Sequence, residues 1–137
     1  MPFDLVLKNG KIVNGAGNPW FRGDLAVKKG KIAAISRSIE KKADRVIDLQ
    51  GLTVAPGFID AHSHTDRSIY WNKYGESALK QGITTVVVGM CGGSAAPVSE
   101  KTAQRMPRGR KAEWRTFKEF LSKVSENGSG LNIVPFV

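Results

Sequence analysis

Cysteine is nearly absent from this 137-residue sequence, and long apolar runs are absent altogether. The one cysteine, Cys91, allows no disulfide within the chain, which fits a reducing compartment. The N-terminal residues lack a basic stretch followed by a long apolar run, so we see no secretory signal. No window approaches the roughly 18 consecutive apolar residues of a membrane span. We therefore expect a cytoplasmic protein without a membrane partner.

Acidic residues are fewer than basic ones, which leaves a formal net charge of +9. The basic residues concentrate between Lys101 and Lys123. Those in between are Arg105, Arg108, Arg110, Lys111, Arg115 and Lys118. A polyanion-binding module that uses residues 101–123 is one interpretation. The segment has no RNA-binding, zinc-finger or helix-turn-helix pattern, so we expect a solvated surface and no nucleic-acid partner.

The first 55 residues repeat one pattern, in which two apolar runs flank a turn. Such runs are typical of β-hairpins, because side chains alternate faces along a strand. The predicted turns are Asn9-Gly10, Lys29-Gly30 and Gln50-Gly51. Asparagine and glycine suit a tight turn because both tolerate positive φ. The pattern predicts three hairpins in a small antiparallel sheet, or half of a sandwich, over residues 1–55.

From residue 56 onwards the pattern changes to alternating strands and helices. We predict a buried strand over 53–60 and a short helix over 72–81. The β-branched run ITTVVVG is typical of a parallel strand covered on both faces. A helix then follows, and after it a last strand, LNIVPFV. The apolar face of this helix is formed by Phe117, Phe120, Leu121 and Val124, and Gly128 is its C-terminal cap. This alternation predicts a parallel α/β sheet over residues 56–137.

Both histidines of the chain lie in the segment PGFIDAHSHTD. His62 and His64 would project from one face of a strand, since strand side chains alternate. Cys91 follows the next strand, and neighbouring parallel strands end side by side. Two imidazoles and a thiolate are a reasonable ligand set for zinc, with Asp66 as a hydrogen-bonding partner or a further ligand. From spacing alone, hydrogen-bonded surface histidines and a small buried thiol are the alternatives.

Four segments, which together cover nearly the whole chain, carry a resemblance to known proteins. They are FDLVLKNGKIVNGAGNPWFRGDLAVKKGKIAAI, VIDLQGLTVAPGFIDAHSHTD, QGITTVVVGMCGGSAAP and LNIVPFV. They resemble the amidohydrolase superfamily, in particular its N-acyl-D-amino-acid deacylase (D-aminoacylase) branch. PGFIDAHSH is characteristic of the superfamily, and the cysteine in GMCGGSAAP points to the branch. Met90 departs from the pattern, in which a small or polar residue precedes this cysteine.

The resemblance implies an α/β fold: a small N-terminal antiparallel β-sandwich portion followed by a (β/α)8 barrel. This chain would hold the sandwich portion, residues 1–55, and the first three βα units of the barrel, residues 56–137. The resemblance also implies that His62, His64 and Cys91 bind one or two zinc ions and that the reaction hydrolyses the amide of an N-acyl-D-amino acid. A complete barrel takes about 250 residues. We therefore expect the catalytic residues to lie outside this chain, and the isolated chain to be inactive.

Two other functional interpretations fit the same sequence. A cyclic-amide hydrolase of the dihydroorotase or hydantoinase type would belong to the same superfamily, although Cys91 argues against it. A non-catalytic, truncated remnant would at most bind a metal or a partner. In either case an open three-stranded sheet would expose an edge and an apolar face, so we expect self-association there.

Overall fold

The computed structural model describes residues 2–104, 106–107 and 109–136, and it shows a mixed α/β chain. Arg105 and Arg108 of the basic segment lie outside the described residues. The chain divides into two compact units, Met1–Pro56 and Gly57–Val137. Among the helices of the described part, none is long and apolar enough to cross a membrane.

The first unit contains one five-stranded sheet. Its strands are β1 (Phe3–Ile12), β2 (Phe21–Lys28), β3 (Lys31–Ser36), β4 (Ala43–Asp48) and β5 (Thr53–Val54). The strand order is β3-β2-β1-β4, and β5 pairs with the last residues of β1. β2 is antiparallel to β1 and β3, whereas β4 and β5 run parallel to β1. The sheet is therefore mixed, and the predicted antiparallel sheet is wrong for two of its strands.

Of the three predicted hairpins, only the one that turns at Lys29 and Gly30 is formed. β1 does not reverse at Asn9: this residue has a φ of 58° and forms a bulge, after which the strand continues. Gln50 also has positive φ, but β4 and β5 run in the same direction before and after it. The Gly51 N–H donates to the Asn9 carbonyl, so the two irregular places lie against each other. Positive φ permits a bulge as well as a turn, which explains the error at Asn9. At Gln50 the predicted turn is formed, with the Leu52 N–H donating to the Leu49 carbonyl at 2.8 Å, but the strand that follows does not pair back on β4 as a hairpin.

A buried carboxylate supports the bulge in β1. Asp24 is 4% exposed, and its two oxygens accept the N–H groups of Asn9 and Ile39, each at 2.9 Å. Ile39 also packs with Val6 and Ala26 in the buried apolar cluster of this unit. One side chain therefore joins the irregular strand to the core.

The second unit contains a parallel three-stranded sheet, as predicted. Its strands, in the order β6-β7-β8, are β6 (Phe58–Asp60), β7 (Ile83–Val88) and β8 (Asn132–Pro135). The helical elements are a 3-10 turn (Thr65–Arg67), α1 (Glu76–Leu79), α2 (Glu100–Ala103) and α3 (Phe117–Asn127). The strand–helix–strand alternation expected from the sequence is therefore present, with α2 as an addition that the sequence pattern did not predict.

Three details of this unit differ from the sequence prediction. The predicted buried strand over 53–60 is two short strands, β5 and β6, and Phe58 and Ile59 are 62% and 66% exposed. The predicted helix over 72–81 is a single turn. β7 is fully buried only at Val86 and Val88, so just one of its faces is covered within the described residues. Apolar composition indicates that a strand is covered by another part of a protein, but it does not identify the covering element.

Helix α3 forms where it was predicted, but Leu121, which was expected on its apolar face, is 38% exposed. Thr116 accepts the N–H of Glu119, and the Glu119 carboxylate accepts the N–H of Thr116, which together form a capping box. Phe120 is fully buried and Val124 is 6% exposed, so this face of the helix packs in a buried apolar cluster that includes residues of β7. Gly128 ends the helix with a φ of 76°.

Candidate metal site

The candidate site lies just beyond the ends of two neighbouring strands. β6 ends at Asp60, and His62 and His64 follow it; β7 ends at Val88, and Cys91 lies three residues further on. The Ser63 N–H donates to the Val87 carbonyl at 2.8 Å, which ties the histidine segment to the end of β7. The parallel pairing of β6 with β7 therefore brings both segments to the same edge of the sheet.

The donor atoms of His62, His64 and Cys91 converge. One ligand atom from each residue lies within 4.8 Å of the other two. The His62 Nε2 and Cys91 Sγ atoms are 3.1 Å apart. Nitrogen and sulfur ligands of one tetrahedral zinc ion lie about 3.5 Å apart, given the usual bond lengths. The spacing and the chemistry of this donor set therefore fit zinc.

The orientation of the two histidines follows from the backbone between them. The His62 N–H donates to the Asp60 carboxylate at 3.1 Å. Ser63 is 8% exposed, and its hydroxyl lies 2.6 Å from that of Thr65. His62 and His64 are exposed on either side of it, with ring centroids 5.6 Å apart and planes at 69°. The alternation predicted for a strand holds here, although β6 itself ends two residues before His62.

Cys91 has an unusual backbone and an exposed side chain. Its φ is 55°, in the left-handed region that non-glycine residues seldom adopt. Gly92 follows with a φ of 66°, and the Gly93 N–H donates to the Met90 carbonyl at 3.0 Å, so the chain turns sharply here. The thiol is exposed, which excludes the alternative of a small buried cysteine.

Asp66 lies near the cluster but does not belong to it. It is 1% exposed, and one carboxylate oxygen accepts the Ala95 N–H at 2.8 Å. The other oxygen has no hydrogen-bond partner among the described residues. Burial raises the pKa of this carboxyl above its usual range, against the lowering effect of the hydrogen bond from Ala95. Asp66 thus contacts the cysteine loop through the backbone, and it hydrogen-bonds to neither histidine.

The sequence reasoning missed the part played by Ala95. Its N–H is bound by Asp66, and its carbonyl accepts the Trp114 indole N–H at 2.8 Å. Both contacts use main-chain atoms, for which alanine gives no sequence signal. Trp114 is 3% exposed, so this hydrogen bond is buried.

A comparison with known protein families identifies the family of this chain. Residues 45–123, more than half of the sequence, match the model of the amidohydrolase family. The chain belongs to the amidohydrolase family. The matched range includes His62, His64 and Cys91, so the resemblance stated from the sequence motifs is confirmed.

Several relatives of this amidohydrolase are D-aminoacylases or N-acyl-D-amino-acid deacylases. An N-acyl-D-aspartate deacylase of Alcaligenes xylosoxydans xylosoxydans is 34% identical over 98% of this chain and 28% of its own length. A D-aminoacylase structure with a binuclear metal centre covers 99% of this chain and 30% of its own, with 31% identity and a TM-score of 0.87. An N-acyl-D-glutamate deacylase from Bordetella bronchiseptica, complexed with zinc and a phosphonate inhibitor, covers 100% of this chain and 30% of its own, with 31% identity and a TM-score of 0.86. The chain therefore spans a little under a third of the length of these relatives.

Proposed function

We propose that this chain provides a zinc-binding part of a hydrolase that removes the acyl group from N-acyl-D-amino acids. The observation that carries the proposal is the convergence of the His62, His64 and Cys91 donor atoms within 4.8 Å. The deacylase activities named for the relatives support the substrate class. The reaction adds water across the amide C–N bond, which releases a carboxylate and the free D-amino acid.

The three side chains share the task of holding the metal. His62 and His64 each offer a neutral ring nitrogen, and Cys91 offers a sulfur that binds after losing its proton. Zinc in this position supplies Lewis-acid polarisation of the amide carbonyl and makes water a better nucleophile. All three donors are exposed, so a substrate can reach the cluster from solvent. We propose one or two zinc ions, and the binuclear centre described for a D-aminoacylase relative supports a second one.

We further propose that β6, β7 and β8 are the first three strands of a (β/α)8 barrel. Their parallel order, with helical segments between them, supports this assignment. In the same proposal residues 1–55 form a β-sandwich portion and residues 56–137 begin the barrel. The site then lies at the C-terminal ends of the strands, where barrel enzymes carry their chemistry.

The exposed apolar residues of the parallel sheet support an interaction at its edges. Phe58 and Ile59 on β6, Val134 on β8 and Phe136 after it are all about half exposed or more. We propose that the sheet pairs through these edges, either with further barrel strands or with a second copy of the chain. Sedimentation of the 137-residue chain tests this: association that rises with concentration is expected, and a monomer at all concentrations contradicts self-association.

The test of function is a hydrolysis assay on the protein purified from its natural source. N-acetyl-D-glutamate, N-acetyl-D-aspartate and N-acetyl-D-methionine are the substrates, and the corresponding L-enantiomers are the matched controls. We expect release of the free D-amino acid, loss of activity on chelation, and recovery on addition of zinc. Full activity after chelation, or after Cys91→Ala, would overturn the metal assignment.

The same assay distinguishes the substrate classes. Hydrolysis of a hydantoin or of dihydroorotate, without hydrolysis of N-acyl-D-amino acids, would replace the proposal with a cyclic-amide hydrolase. No turnover of either class, together with retained zinc binding, would indicate a metal-binding protein without catalysis.

A further inference from the structure

The loop that carries Cys91 is held at both of its ends. At one end lies Val88, the last residue of β7, which pairs with β8. At the other end lies Ala95, which is fully buried. Its N–H is bound by the Asp66 carboxylate and its carbonyl by the Trp114 indole, each at 2.8 Å. The position of Cys91 between these ends therefore depends on how firmly Ala95 is fixed.

One of the groups that fix Ala95 belongs to the histidine segment. Asp66 follows His64 by two residues and lies in the 3-10 turn Thr65–Arg67. Its bond to Ala95 joins two segments that are 29 positions apart in the chain. A buried charged or polar side chain that accepts a backbone N–H is costly to remove, since the donor is then left unpaired. This hydrogen bond therefore connects the histidine segment directly to the cysteine loop.

We propose that Asp66 is a positioning residue for the metal site, which acts through Ala95 to hold the Cys91 sulfur against His62 and His64. This inference rests on the proposed zinc site. Asp66 is not a ligand in this arrangement: it lies outside the cluster of converging donor atoms. Its contribution is made through the loop, so it changes the metal site only as long as Cys91 is a ligand.

A double-mutant cycle on zinc affinity tests the inference. Zinc affinity is measured by competition with a chromophoric chelator for the wild-type protein, Asp66→Ala, Cys91→Ala and the double variant. Loss of a group that orients a metal ligand costs about 10–100-fold in affinity. We expect Asp66→Ala to lose affinity in this range in the wild-type background, and less than about twofold in the Cys91→Ala background, because coupled residues are not additive. An equal loss in both backgrounds, or no loss in either, would overturn the inference.

Two further measurements separate positioning from simple loss of stability. Asp66→Asn keeps an oxygen that can accept the Ala95 N–H, so we expect it to retain most of the wild-type affinity. If it loses as much as Asp66→Ala, the negative charge or direct ligation is needed, and the inference is wrong. Thr116→Ala, which removes the cap of α3, is the control that lowers stability without touching either loop. Thr116→Ala should leave zinc affinity unchanged. If it loses as much zinc affinity as Asp66→Ala, the effect of Asp66→Ala is one of stability alone, and the inference is wrong.

The absorption spectrum of the cobalt-substituted protein reports on the sulfur directly. Thiolate coordination to Co²⁺ gives a charge-transfer band in the near ultraviolet, which we expect in the wild-type protein and in Asp66→Asn. The band should weaken in Asp66→Ala. If the wild-type protein lacks the band, the proposed ligand role of Cys91 fails. If the wild-type band is present and remains unchanged in Asp66→Ala, only the positioning role fails.

Discussion

The Nε2 atom of His62 and the Sγ atom of Cys91 lie 3.1 Å apart, although the two residues are 29 positions apart in the chain. Two exposed side chains have little reason to meet so closely unless the backbone holds them there. The backbone does so at two places: Ser63 donates to Val87, and Cys91 adopts a left-handed conformation. A strained residue at a converging set of donors is typical of a functional site.

Replacement of Cys91 by serine should weaken zinc binding strongly. Serine is similar in size, but its hydroxyl does not lose its proton as a thiol does and is a poor zinc ligand. Loss of an outer hydrogen-bonding partner of a ligand weakens metal binding by about 10–100-fold. We therefore expect the zinc dissociation constant to rise by more than about tenfold when the ligand itself is replaced. Ser122→Ala, at an exposed position of α3, is the control and should have no effect. Unchanged affinity in Cys91→Ser would contradict the sulfur as a ligand.

The core of the second unit can be tested with two neighbouring residues of α3. Phe120 is fully buried and packs against Trp114, with ring centroids 5.1 Å apart, whereas Leu121 is 38% exposed. Phe120→Ala should lower the free energy of unfolding by about 3–5 kcal/mol, through lost burial and the cavity left behind. Leu121→Ala should cost much less, since part of the Leu121 side chain is already in contact with solvent. Urea denaturation measures both, and equal losses would contradict the burial assigned to this helix.

The sequence predicted those parts of the second unit whose signal is local. The apolar spacing of α3 and the β-branched run of β7 each specify one element, and both were located correctly. The cluster of candidate ligands could also be predicted, because its histidines adjoin one strand and its cysteine the next. The contact of Asp66 with Ala95 could not be predicted from the sequence, because it depends on a backbone N–H that every residue except proline possesses.

The errors in the first unit have a different origin. Asn9 and Gln50 carry the local conformation that the turn prediction required, namely positive φ. Whether the strands on either side of such a residue form a hairpin depends on which strand pairs beside them. β1 pairs with β4 and β5 in parallel, and these partners lie more than 30 positions away from it. A local pattern does not contain that information.

Asp24 provides a test of the bulge in β1. Its carboxylate accepts the N–H groups of Asn9 and Ile39, and the bond to Ile39 is buried. Asp24→Ala should destabilise the protein by about 1–3 kcal/mol, the cost of one buried donor left without a partner. Asp44→Ala, which removes the same side chain from an exposed position of β4, is the control and should change stability little. Thermal denaturation compares the two, and equal melting temperatures would show that the Asp24 bonds do not support the bulge.

The capping box of α3 should make stability depend on pH. Hydrogen bonds from the backbone N–H groups of Thr116 and then Arg115 hold the pKa of the Glu119 carboxyl below its ordinary value of 4.5. A carboxyl whose pKa is lowered by folding stabilises the folded state when it is ionised. This contribution is fully present above the unfolded pKa and is lost as the pH falls through the folded pKa. Glu119→Gln keeps an acceptor but cannot ionise, so it should lack this dependence.

The measurement is a comparison of unfolding free energy between wild type and Glu119→Gln across the acid range. We expect a constant advantage of the wild type above about pH 5.5, about one unit above the unfolded pKa. The advantage should shrink below that pH and vanish once the folded carboxyl is protonated. Glu126→Gln is the matched control, because Glu126 lies in the last turn of the same helix, where a negative charge opposes the helix dipole. A wild-type advantage at Glu119 that persisted at the lowest pH would show that the side-chain oxygens act there without their charge.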